Sequence, residues 1–162
     1  MTFDPTSYGP AVAAILGDGA RLMPLGPGTP NEAVRAKLAA VELPNACHAG
    51  LWLYHDFLDD SHTISQDIST STGSFWHAVM HRREPDAFNS KYWWRKVGSH
   101  PVLKQLVEQA PSVGYDYTTP QDFVDFCERV RGTGTPGEDI AKRVQLLEWQ
   151  LLFDHGFRAA GG

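Results

Sequence analysis

Residues 73–101 read GSFWHAVMHRREPDAFNSKYWWRKVGSHP, and the breaks inside this stretch decide the fold. Wound at about 100° per residue, Phe75, Trp76, Val79 and Met80 fall on one apolar arc of a helix. Pro85 disfavours helical backbone at the residue before it, so that helix should end near Glu84. Phe88, Tyr92, Trp93, Trp94 and Val97 then form a second helix, apolar nearly all round, which stops at Gly98. Helix, short break, helix is the pattern of a bundle, and no sustained strand-like alternation interrupts it.

The same grammar recurs on both sides. Ser99 stands ahead of Val102, Leu103, Leu106 and Val107, as a helix cap should. Thr119-Pro120-Gln121-Asp122 and Thr135-Pro136-Gly137-Glu138 each offer a capping threonine, a proline at the first helical position and an acid behind it. The helix opened by the second, about 137–157, carries two apolar rows and should lie centrally. Thr29-Pro30-Asn31-Glu32 has the same form and predicts a helix through Val34, Leu38 and Val41, closed by Pro44. A further helix is expected over 45–60, with residues 61–72, rich in Ser and Thr, as a loop. Residues 1–28 show little period and read as an arm, relieved by a short helix at Ala11–Leu16. The expectation is an all-α, single-domain bundle over 29–162, with about six or seven helices, behind an irregular N-terminal arm.

Composition narrows the function classes. With 162 residues and 42% hydrophobic content the chain can bury a sizeable core. A net charge of −5 argues against nucleic acid as a partner. No apolar run approaches the ~20 residues that span a membrane. The first ten residues lack the basic start and apolar run of a signal peptide, so a cytoplasmic location is the expectation. Cys47 and Cys127 are isolated and read as buried thiols. Oligomeric state is not legible.

Chemistry concentrates in the quoted stretch. His77 and His81 stand four apart, a spacing that points both imidazoles at one ion, and Glu84 follows one turn later. At a helix C-terminus the backbone dipole disfavours a carboxylate, so Glu84 calls for a cationic partner. On the preceding helix His48, His55 and His62 recur every seven residues. Seven residues span about 10 Å of continuous helix, so only one of these can join a shared ion. His55, with Asp59 near it, is the choice that levels with His77 and His81. The predicted metal set is therefore His55, His77, His81 and Glu84 around Zn²⁺ or Fe²⁺, with Glu84 and His81 as acid–base candidates.

Arg82, Arg83, Lys91, Arg95 and Lys96 form a local basic excess in an acidic chain. Arginine forks bind carboxylate or phosphate through paired hydrogen bonds. Arg82 and Arg83, with Tyr92 and Trp93 as stacking walls, are thus the expected contacts for an anionic or sugar-like small molecule. The competing reading pairs these cations internally with Asp56, Asp59 and Asp60.

The run WH, HRRE, a following D, KYW and HP resembles a mostly bacterial family of small uncharacterised proteins, over roughly residues 50–105. Trp76, His77, His81, Arg82, Arg83, Glu84, Tyr92, Trp93 and His100 match that signature. The resemblance implies no activity, and His100 lies outside the site read from spacing. Three functions follow as expectations: a metal-binding protein acting on or binding an anionic small molecule, a metal-free sugar- or acid-binding module, and an interaction domain whose His/Arg/Glu stretch is an internal salt-bridge network.

Overall fold

The computed structural model describes residues 2–160. Among them nine α-helices and three short 3₁₀ turns occur, and no strand. The helices are α1 (Pro10–Leu16), α2 (Arg35–Ala40), α3 (Asn45–Tyr54), α4 (Leu58–Ser65), α5 (Ser71–Arg83), α6 (Ala87–Val97), α7 (Pro101–Gln109), α8 (Pro120–Val130) and α9 (Pro136–Ala159). The all-α expectation holds, with more and shorter helices than the six or seven expected. None is long and apolar enough to cross a membrane among the described residues.

Helix starts follow local chemistry. Thr70, Asp86 and Thr119 cap α5, α6 and α8 by accepting a main-chain N–H of the first turn. α7 departs from expectation: His100, not Ser99, is the cap, its Nδ1 accepting from the Val102 N–H. At α2 the side chain of Asn31, not Thr29, accepts from the Ala33 N–H, and a 3₁₀ turn at Glu32–Val34 precedes the helix. At α9 Thr135 makes no side-chain cap bond; Glu138 instead reaches back to the Gly132 and Gly134 N–H groups.

The long helix expected over 45–60 is two helices. The chain breaks at His55-Asp56-Phe57, where Asp56 takes a left-handed φ of +70°. Such a conformation is uncommon outside glycine, and aspartate is among the residues that tolerate it. Here it is clamped. The Asp56 carboxylate accepts from Arg21 at 2.7 Å and from Arg83 at 2.6 Å. A Cβ on Gly28 would fall 2.6 Å from the same carboxylate, so glycine is required there by close approach. After the corner α4 returns alongside α3 and also meets α5, which leaves part of the expected 61–72 loop helical.

α9 is central, packing on α3, α7 and α8. It buries Val144, Trp149, Leu152 and Phe153 on more than one face, as its two apolar rows predicted. α3 and α5 approach closely at Gly50, where a Cβ would sit 2.6 Å from the Trp76 ring. The carbonyl of Gly50 accepts the Trp149 indole N–H at 2.8 Å. Cys47 and Cys127 are buried free thiols. Residues 1–28 are not a loose arm: Tyr8, Val12, Ile15, Leu16, Met23 and Leu25 are buried in the core. Met1 itself lies outside the described residues.

Candidate metal centre

α5 runs through the core, and every residue from Gly73 to Arg83 is buried. Its polar side chains therefore need partners, and they divide into two groups.

The first group is paired with carboxylates, Arg82 Nε alone lacking an acceptor among the described residues. Arg82 makes a forked pair with Glu148 of α9, at 3.0 and 2.7 Å, and lies 4.7 Å from the Phe123 ring centre. Gln145 adds an acceptor at 3.2 Å and anchors to the Met23 and Pro24 carbonyls. Arg83 binds Asp56 and donates to the Leu53 and Gly26 carbonyls. Both guanidinium side chains are 0% exposed. The expectation that they meet an anionic ligand is corrected: each is consumed by a carboxylate inside the protein. The alternative of pairing across the helices holds for Arg83 with Asp56.

The second group is His77 and His81. Their rings stack at 4.8 Å between centroids, and His62 of α4 closes a triangle at 4.8 Å from His77 and 5.3 Å from His81. One nitrogen from each of the three rings lies within 4.8 Å of the others. His62 is partly exposed and marks the open side. Trp93 stacks on the far face of His77 at 3.8 Å, nearly parallel. The expected stacking wall for a ligand is thus a wall for a histidine, with Tyr92 exposed beside it.

His77 is 3% exposed, and its Nδ1 is buried without a hydrogen-bond partner among the described residues. Two indole nitrogens, the Tyr117 hydroxyl and Arg82 Nε share that state. Of these, the neutral imidazole is the one that offers a lone pair suited to a metal. Burial, reinforced by the neighbouring His81 and His62, pushes the His77 pKa down to about 4. The ring is therefore neutral at physiological pH, the form that ligation requires.

Glu84, the C-terminal cap of α5, contacts His81 Nδ1 through Oε1. With Nδ1 held against that carboxylate, Nε2 is the nitrogen that His81 can offer to a metal. A carboxylate that orients a histidine in this way is the usual outer support of a metal ligand. The partner that Glu84 finds is thus an imidazole and neither Arg82 nor Arg83. Asp86 lies near by; His81, Glu84 and Asp86 form a second trio with ligand atoms within 4.8 Å. Asp86 is already committed to the Asn89 N–H and side-chain amide, so the all-histidine trio is the freer set.

His55 does not join. Its Nε2 lies 2.8 Å from the Ile15 carbonyl, and it sits at the corner after α3. His48 is engaged by the Leu38 carbonyl and His100 by Thr72 and the Val102 N–H. A continuous helix would hold His62 too far from His55 to share an ion. The corner at Asp56 removes that premise. Asp59 and Asp60 side by side, acids suited to a first helical turn, were the signal of a new start.

Compared with family models, curated proteins and solved structures, the chain matches none.

Proposed function

We propose that this is a metal-binding helical protein whose centre is His62, His77 and His81. Three imidazoles with one open side are the donor set of catalytic zinc sites, and imidazole also suits Fe²⁺. A bound Zn²⁺ would supply a water of lowered pKa and polarise an acceptor oxygen, so metal-assisted hydrolysis is the reaction class to test first. The chain's own contributions are distinct. Glu84 would orient His81 by accepting a hydrogen bond from Nδ1–H, which turns Nε2 to the metal. Trp93 covers one face of His77 and fixes the plane of its ring. The observation that carries this reading is the buried, unpartnered His77 Nδ1 beside two further imidazoles, in a protein whose His48, His55 and His100 are engaged elsewhere.

The test is zinc titration of tag-free, chelator-treated protein, with elemental analysis after desalting. One equivalent per chain is expected. Alanine at His62, His77 or His81 should abolish it, whereas His55→Ala leaves it intact. Glu84→Gln should weaken zinc about 10–100-fold, the range for losing an outer carboxylate. Substoichiometric metal that does not rise on adding Zn²⁺ or Fe²⁺ defeats the proposal.

A further inference from the structure

A cleft of about 370 Å³ is lined by Pro27, Gly28 and Pro30, by the Asp56–Phe57 corner and the start of α4, and by Glu84. That size is enough for a small ligand. Glu84 belongs to both places, touching His81 with Oε1 and lining the cleft.

The charges at its walls are mostly negative: Asp56, Asp59, Asp60 and Glu84 against Arg35. Asp56 is neutralised by Arg21 and Arg83. Asp59 has no ion-pair partner among the described residues, and Glu84 has only the His81 imidazole. Asp59 thus lines the hollow with no ion-pair partner among the described residues, and Glu84 with an imidazole in place of an arginine or lysine.

Arg35 shows what that wall accepts. Its guanidinium lies 4.5 Å from the Phe57 ring centre and reaches Asp60 at 3.3 Å and Glu32 at 2.7 Å. An aromatic face bordered by carboxylates is a seat for a planar cation. The fold has placed one of its own side chains in it, half exposed and displaceable. The arginines that an anion would need, Arg82 and Arg83, are sealed in the core.

We infer that the cleft binds a small organic cation, an alkyl guanidinium or ammonium compound, with its charge between Asp59, Asp60 and Glu84. The inference leans on the metal proposal only for what happens at the ligand's other end. Binding of the cation itself is independent of zinc.

Calorimetric titration with agmatine, and with glutarate as an anion of similar length, tests it on chelator-treated and on zinc-loaded protein. Agmatine should bind both forms and glutarate neither. Asp59→Asn, an exposed substitution that leaves the fold intact, should weaken agmatine about tenfold, the effect of losing about 1.4 kcal/mol. Arg35→Gln should tighten it by vacating the seat. Glutarate binding in preference, or agmatine indifferent to Asp59→Asn, overturns the inference. Zinc bound without agmatine defeats this inference alone; agmatine bound without zinc defeats the metal centre alone.

Discussion

Four side chains of α5 put a contrast side by side. Arg82 and Arg83 are as deeply buried as any residue in the chain, yet each meets a carboxylate and further acceptors. His77 and His81 precede them on the same helix, His81 directly, and His77 is left with a bare nitrogen. Arg82 Nε is bare as well, so burial does not separate structure from function here; what separates them is that the guanidinium has a fixed counter-charge, whereas the bare imidazole nitrogen has no partner among the described residues and belongs to a group able to ligate. A paired buried charge holds helices in register, while an unpaired buried donor or acceptor is costly and asks for an explanation.

The largest expected effect is on the paired side. Arg82→Ala strands Glu148, 1% exposed, without its counter-charge. Urea denaturation should show a loss of about 3–5 kcal/mol, the usual effect of breaking a buried pair from one end. A loss below about 1 kcal/mol would erase the contrast.

Next comes the acid limb of stability. Burial, with His155 near by, pushes the His100 pKa down to about 4, as burial does for His77. The unfolded chain takes up these protons near pH 6.5, the folded chain only near pH 4. Metal-free protein should be flat above pH 6.5 and lose stability as pH falls from there to 4, by roughly 2–3 kcal/mol per ring. His100→Gln should remove one share of that slope in denaturation curves at stepped pH.

On the unpaired side, zinc at a hundredfold excess over its Kd should stabilise the protein by about 2.7 kcal/mol. His77→Ala should abolish that rise in Tm. Because no protein group depends on His77 for a hydrogen bond among the described residues, its metal-free cost should stay well below that of Arg82→Ala. The smallest effect is expected at the surface: Phe88→Ser, at a residue 80% exposed, should change stability by no more than about 0.5 kcal/mol.

Helix character was legible because proline, glycine and capping residues are local signals, and α8 and α9 start where their Thr-Pro pairs predict. The His77–His81 pair was legible from spacing alone. The corner at Asp56 was not, because its cause is distant: Arg21 and Arg83 lie 35 and 27 residues away in sequence. Missing the corner displaced the third histidine from His62 to His55. It also made a loop of residues that form the end of α4. The fate of the arginine pair was half legible. Asp56 was among the expected partners, but Glu148, in a helix 66 residues on, carried no local mark. The packing of residues 2–28 was hidden for a similar reason, since scattered apolar side chains without a period find their places only against a finished body.

The clamp on Asp56 gathers three parts of the chain onto one carboxylate: the N-terminal segment through Arg21, the corner itself, and the end of α5 through Arg83. That corner sets the direction in which α4 departs, and so the approach of His62 to its two neighbours. Docking of the segment that carries Arg21 and the placing of His62 thereby share one support, and a protein that lacks that segment should hold zinc more weakly.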